Sequence, residues 1–265
     1  MTVHTQTAAP SFQVICEIEP ATSPDLTGVR HQIGVLSPIA SAFLIPDNHI
    51  GRATVSSVAV AHEVEAMGGR SIACLNARDR NVLGFRRDML TAAAYGVDQF
   101  LLIYGDEPQA GARTSELTVR TMLHEGRAYS ESLHAATPMR FGAATNLRPL
   151  PSSKRSVDFL FVQIGFSLDE LLEWRSGVDL GVGVPVYAGV IVLPSADMAR
   201  RLDTAIPSLE IPTKLVERLE RDRDAGVDAA CDLVARVRDS GAFEGVHLIP
   251  VSRYREVAAR LERML

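Results

Sequence analysis

RSIACLNARDRNVLGFRRDMLTAAAYGVDQFLLIY, residues 70–104, is the stretch that decides the fold. Residues 70–75 form a short, mostly apolar run and read as a strand. A dense polar segment follows, then a helical pattern near 83–95. Residues 99–104 (QFLLIY) are again a short apolar run and read as another strand. Strand, helix and strand in alternation imply parallel neighbours with the helix as crossover.

The same rhythm extends in both directions. Upstream, 12–17 (FQVICE) reads as strand one and 41–45 as strand two. A helix is expected over 53–67, where Val60, Val64 and Met67 repeat at helical spacing and Gly68-Gly69 marks the stop. The opening stretch therefore supplies strands three and four. Downstream come a helix over 116–133 and strand five over 139–144. The Pro- and Ser-rich segment 146–153 then offers no helix. Strand six is 157–163 (VDFLFVQ), and Ser167 with Glu170 forms a capping-box signature for a short helix to Trp174. Strand seven is 184–192, and Ser195 would cap a helix over 196–202. Two further helices are expected over 212–221 and 226–237. In the second, Val227, Ala230, Val234 and Val237 share a face and Gly241 is the stop. Strand eight is 245–250, with Val257, Leu261 and Met264 marking a closing helix. Eight strands separated mostly by helices favour the α/β class and a single closed (βα)8 TIM barrel over an open doubly wound sheet. One catalytic domain is expected over 12–265, with 1–11 as a short disordered tail.

Composition removes several functions. The chain is 46% hydrophobic and 22% charged, enough apolar material for a core. Its formal net charge is −5, and no cluster of Lys and Arg with interleaved aromatics suggests a nucleic-acid surface. No apolar run reaches the ~18–20 residues that span a bilayer, and the N-terminus lacks the pattern of a signal peptide. Cys16, Cys74 and Cys231 are odd in number and widely spaced, which fits reduced thiols in a cytoplasmic protein. Lysine occurs only at Lys154 and Lys214, so Schiff-base chemistry has almost no nucleophile to use. The histidines show no HxxxH or HExxH spacing, and no metal site is expected. GxGxxG, GxxxxGK[ST] and GxSxG are also missing.

In a barrel, chemistry sits where strands end and the following loops begin. Strand one ends Cys16-Glu17-Ile18-Glu19-Pro20, which places Glu17 near its top and on the same face as Ile15. Withdrawing a carboxyl group from water favours its protonated form, which suits a general acid. A carboxylate paired with one of the many arginines is the bland alternative. Strand four ends Tyr104-Gly105-Asp106-Glu107-Pro108. Asp106 there would accept hydrogen bonds from a ring amine, or merely cap a turn. On strand six, Phe159, Phe161 and Gln163 share a face. The Gln163 amide either satisfies backbone or reads a ligand, with Gly165 and Phe166 just beyond. Strand three runs into Asn76-Ala77-Arg78-Asp79-Arg80-Asn81, a solvated loop or a ligand-binding one. His247 on strand eight reads as a satisfied core histidine. Arg78, Arg80, Arg113 and Arg148 read as surface arginines, with a folate tail or a dinucleotide phosphate as the functional alternative.

Taken together, these strand ends resemble the methylenetetrahydrofolate reductase family. The carrying residues are Glu17-Ile18-Glu19-Pro20, the segment from Asn76 to Asn81, Gly105-Asp106-Glu107-Pro108, Asp158-Phe159 with Val162-Gln163, Pro185 with Ala188-Gly189-Val190, Ile211-Pro212 and Gly245-Val246-His247. The resemblance implies reduction of 5,10-methylenetetrahydrofolate to 5-methyltetrahydrofolate with hydride from NAD(P)H, within one-carbon metabolism and methionine biosynthesis. It implies Glu17 as the general acid, with Asp106, Gln163 and Phe166 binding the folate and Asn76, Gly105 and Thr145 meeting the cofactor. Glu19 shares the face of Glu17 and is the other acid to consider. The chain departs from flavin-containing members at Cys74, where they have His, and at Asn76, where they have Thr. It departs again at Tyr104, where they have Arg, and near Thr145, where they have Tyr. Their longer basic segment before strand six is reduced to residues 152–155. Losing basic partners of the phosphates weakens flavin binding, so the expectation leans to a member without FAD. A barrel using FAD, a deazaflavin or another pterin, and a non-catalytic folate-binding barrel, are the competing readings. The oligomeric state stays open.

Overall fold

The computed structural model describes residues 12–133 and 138–265, and the tail expected over 1–11 lies outside the described residues. Eight parallel strands close on themselves in chain order: β1 (Gln13–Glu17), β2 (Ala42–Ile45), β3 (Ser71–Asn76), β4 (Gln99–Ile103), β5 (Arg140–Thr145), β6 (Phe159–Ile164), β7 (Val186–Ile191) and β8 (Gly245–Ile249). The helices are α1 (Thr27–Leu36), α2 (Ser57–Ala66), α3 (Val82–Ala94), α4 (Val119–Ser132), α5 (Leu168–Ser176), α6 (Ala196–Ala205), α7 (Thr213–Arg221), α8 (Ala225–Ser240) and α9 (Tyr254–Leu261). This is the (βα)8 barrel that the alternation predicts.

Period-two alternation divides each strand between two cores. Ile15, Leu44, Ile72, Cys74, Leu101, Phe159, Phe161 and Tyr187 fill the lumen. Val14, Cys16, Phe43, Ala73, Phe100, Phe141 and Leu160 face outward and join the helices in the larger core. All three cysteines are buried free thiols.

Two local features differ from expectation. The sequence signals no helix between β1 and β2, yet α1 is there. Its buried residues, Val29, Gln32, Ile33 and Leu36, have the spacing of an apolar stripe, but Gly28, Gly34 and the polar Gln32 dilute the pattern. Gln32 is satisfied because its Oε1 accepts the Glu19 N–H at 2.9 Å. The Ser167 side chain makes no capping hydrogen bond at α5. The true capping box opens α4, where Thr118 Oγ1 accepts from the Thr121 N–H and Thr121 Oγ1 accepts from the Thr118 N–H. Ser195 caps α6 as expected, accepting the Met198 N–H at 3.2 Å, and Gly241 ends α8 at φ 63°. After β5 there is only the short 3-10 turn Ser152–Lys154, whose Lys154 Nζ donates to the Ala144 carbonyl at 2.5 Å. Among the described residues no helix is long and apolar enough to cross a membrane.

The seam between β1 and β8 leaves no room for a side chain at Gly245. A Cβ there would lie 2.0 Å from the Gln13 carbonyl oxygen. Backbone has nowhere to retreat at a paired strand. Gly245→Ala should therefore cost about 3 kcal/mol in urea unfolding, and a loss under about 1 kcal/mol would mean the seam yields easily.

Candidate active site at the barrel mouth

Closing the barrel sets β1 beside β8, with Ile15 level with His247. Glu17 follows two residues later on the lumen side. Its Oε2 lies 3.1 Å from His247 Nε2, and the two side chains are 17% and 12% exposed. Phe161 packs against the imidazole edge-to-face, with ring centroids 5.1 Å apart. His247 is thus more than a satisfied core histidine. A neutral imidazole can accept the proton of a protonated Glu17, or an imidazolium can donate to its carboxylate. Either way the carboxyl is fixed in orientation and left accessible.

A cavity of about 300 Å³ opens above this pair, bounded by Glu17, Leu44, Asp47, His49, Cys74, Gly105, Asp106 and His247, among others. Cys74 lies low in it, and burial first, then the nearby Glu17 and Asp47 charges, pushes its thiol well above the ordinary range. It stays a neutral thiol. Gly105 has φ 95°, and a Cβ there would meet the Asn76 side chain at 3.0 Å. That glycine lets the chain turn so that Asp106 reaches the rim. Asp106 Oδ2 accepts the Ile50 N–H at 2.9 Å. Tyr104 is exposed beside it, with the Arg113 guanidinium 5.9 Å from its ring centre and paired to Glu107.

The wall behind the mouth is ionic. Asp47 is buried and accepts from the Asn76 N–H at 2.9 Å, from Asn76 Nδ2 at 2.6 Å and from Arg80 Nη1. Arg80 Nε also donates to Asp88 at 2.8 Å. Burial alone would depress the Arg80 guanidinium, but Asp47 and Asp88 outweigh it and hold it above its ordinary value. Arg78 is 1% exposed and forks onto Asp79 at 2.6 and 2.7 Å. These arginines are therefore buried ion-pair partners and not the surface groups that the polar run suggests. Arg113 and Arg148 are exposed, as that reading has them. Asn76 is fully buried. Its Nδ2 also donates to Asp79 at 3.0 Å, and its Oδ1 accepts the Asp79 N–H at 2.9 Å.

Other residues singled out from sequence lie elsewhere. Between Phe161 and Ile164 the pairing of β6 with β7 shifts register, a bulge that the bare backbone of Gly189 accommodates. Simple alternation therefore fails at Gln163, which lines a second cavity of about 570 Å³ with Asn146, Arg148, Glu170, Trp174 and Glu210. Thr145 is buried at the end of β5 and donates to the Asn146 carbonyl at 3.4 Å. Phe166 lies farther out, lining a cavity of about 220 Å³ with Leu193, Leu215 and Leu233. The structure thus brings together Glu17, Gly105 and Asp106 at the mouth, and sets Gln163 and Phe166 apart from that cavity. Sequence reasoning missed Asp47 and His49. The turn residues Asn48 and Gly51 were the available signal for that loop. Among the described residues no group of three or more His, Cys, Asp or Glu side chains could hold a metal ion.

Comparison with known proteins bears on this geometry. Residues 154–264 match the family model for methylenetetrahydrofolate reductase, so the resemblance read from the strand ends holds over that part of the chain. The matched part contains Gln163, Phe166 and His247, while Glu17 and Asp106 lie outside it. No curated protein matches the sequence. Among solved structures, an uncharacterized protein from Clostridium thermocellum that binds two copies of 5-methyl-5,6,7,8-tetrahydrofolic acid superposes with a TM-score of 0.65 at 10% identity, over 96% of this chain and 96% of that one. The long-chain alkane monooxygenase LadA gives 0.57 at 8% identity, over 97% of this chain and 92% of that one. EDTA monooxygenase from Chelativorans sp. BNC1 gives 0.57 at 9%, over 97% and 93%. Identities this low establish a shared fold and nothing further.

The ion network makes a pH prediction. The hydrogen bonds from Arg78, with smaller help from Asn48 and Asn76, hold the Asp79 carboxyl at about 2 instead of its ordinary 3.8. A depressed folded-state value stabilises the fold above the unfolded value and is lost as pH falls through the folded one. Asp79 should contribute fully above about pH 5 and progressively less toward pH 2. Asp79→Asn should therefore flatten the acid limb of stability, followed as the urea midpoint from pH 6 downward. An unchanged acid slope would remove Asp79 from the account.

Proposed function

We propose that this chain, a diverged relative of the methylenetetrahydrofolate reductases, reduces 5,10-methylenetetrahydrofolate to 5-methyltetrahydrofolate in the cytoplasm, with hydride from NAD(P)H and without flavin. The observation that carries the reading is the Glu17–His247 pair facing Asp106 across one mouth cavity. Its volume of about 300 Å³ is at the small end for ligand pockets and suits a single bicyclic ring.

Each residue has a distinct task. Glu17 gives its proton to N10 of the folate as the C–N10 bond breaks, leaving the methylene carbon as an N5 iminium. His247 holds the carboxyl in place and returns the proton from solvent. Asp106 fixes the pterin through ring N–H groups, so that one face of the iminium meets the donor. A nicotinamide held at the mouth would supply the hydride by which the methylene carbon becomes the N5-methyl group. The sum consumes one donor and one proton. Tyr104 and Arg113 at the rim, and Arg148 over the neighbouring cavity, would meet the dinucleotide. Gln163 would read the far edge of the folate from the second cavity, with Phe166 behind it.

The residues do not fit a flavin. Asn76, a candidate cofactor contact, has its amide donors and its acceptor engaged inside the protein. Arg78 and Arg80 are spent on carboxylates, and Lys154 on a backbone carbonyl. Arg113 and Arg148 are exposed, and the reading assigns them to the dinucleotide, with Gly105 and Thr145 left to its nicotinamide. The buried thiols support a reducing compartment. A folate-binding barrel without turnover is the second reading, favoured by the Clostridium thermocellum neighbour.

Purified protein should be colourless and should oxidise NADH or NADPH only when methylenetetrahydrofolate is added. A yellow protein bleached by NADH alone would reinstate flavin. A panel including a reduced deazaflavin identifies the carrier. Glu17→Gln should lower the rate about 10²–10⁴-fold with folate still bound, whereas a pure binding protein would have no rate to lose.

A further inference from the structure

The loop after β2 is strained where it crosses the mouth. Asn48 has φ 46°, Ile50 φ 55° and Gly51 φ 69°. Asparagine and glycine tolerate that region, but a β-branched isoleucine does not. Ile50 gains no burial in return, being 58% exposed. Strain of this kind persists only where surrounding contacts over-determine it.

Those contacts come from the loop after β4. Asp106 Oδ2 accepts the Ile50 N–H at 2.9 Å, Gln109 Nε2 donates to the Ile50 carbonyl at 3.0 Å, and the Gln109 N–H donates to the Gly51 carbonyl at 2.9 Å. Gly51 sits so close that a Cβ would fall 1.8 Å from the Glu107 carbonyl oxygen. The latch is solvent-exposed, and His49 inside it lines the mouth. Exposed hydrogen bonds of this sort belong to the least stable part of a fold.

We propose that the segment from Asn48 to Gly51 is a spring-loaded gate held shut by Asp106, and that a bound folate opens it by competing for that carboxylate. The proposal rests on the reading of Asp106 as the pterin anchor. An aminopyrimidinone edge presents an N–H and an NH2 side by side and pairs with a carboxylate through both oxygens. Full pairing therefore draws on Oδ2, and a ligand donor there competes with the Ile50 N–H and weakens its hold on the shared oxygen. Weakening that bond lets the strained turn relax. The strain offsets part of the cost of opening, and the latched fraction reduces apparent affinity.

Two substitutions that leave Asp106 in place test this with opposite signs, using tetrahydrofolate as the probe in calorimetry. Gln109→Ala weakens the latch and should tighten binding about three- to tenfold. Ile50→Asn relieves the strain of the shut form and should weaken binding by a similar factor. In the unaltered protein, folate should speed hydrogen exchange at the Ile50 amide and tryptic cleavage after Arg52. Variants that bind like the unaltered protein, or an Ile50 amide protected by folate, would overturn the gate while leaving the folate site intact. No tetrahydrofolate binding at all would overturn the folate reading, and the gate with it.

Discussion

Parallel pairing of β1 with β8 is the constraint on which the site depends. It closes the sheet, removes both edges, and sets Ile15 level with His247. The carboxyl and imidazole of the mouth come from opposite ends of the chain and meet only because the ring is complete. Gly245 belongs to the same seam, where its lack of a side chain lets the two backbones approach. Geometry at the mouth is therefore inherited from the barrel and does not rest on any one loop.

Behind the mouth, a second constraint fixes the ends of β2 and β3. Asp47, Asn76, Asp79, Arg78, Arg80 and Asp88 form one hydrogen-bonded ionic group. Taking charges out of water is costly, and such a group persists only when nearly every partner is present. Its cost is offset by tight mutual pairing, and the result is a rigid polar wall. Against that rigid wall stands the exposed loop 48–51, tied down by a few contacts with water on one side. The mouth combines a carboxyl held by the barrel with a rim held by a few exposed contacts.

The sequence made the strands legible because each is a short apolar run between turn residues, and lumen and outer faces followed from alternation. Glu17 and Asp106 were legible for the same reason, as polar groups where such runs end. Other features were hidden by their physical nature. A buried arginine such as Arg78 looks like a solvated one until its guanidinium is seen folded back onto the neighbouring Asp79. His247 finds its partner 230 residues away, a distance no local pattern reports. The bulge on β6 breaks the alternation that placed Gln163, and the glycines of α1 thin out its apolar stripe. The strained Ile50 carries no sequence signature, because isoleucine is a poor choice for that backbone.

The chain has a single tryptophan, Trp174, and its position gives the molecule a built-in reporter. It sits on α5 and reaches the helix-free segment after β5, donating its indole N–H to the Arg148 carbonyl at 2.9 Å, and forms part of the wall of the 570 Å³ cavity. Intrinsic indole fluorescence is therefore the signal of one site. A reduced nicotinamide absorbs where indole emits, so a donor bound over Arg148 would quench that emission by energy transfer. The oxidised form, transparent there, would not. The gap in the helical ring would thus let the redox state of a dinucleotide held there be read optically without adding a label.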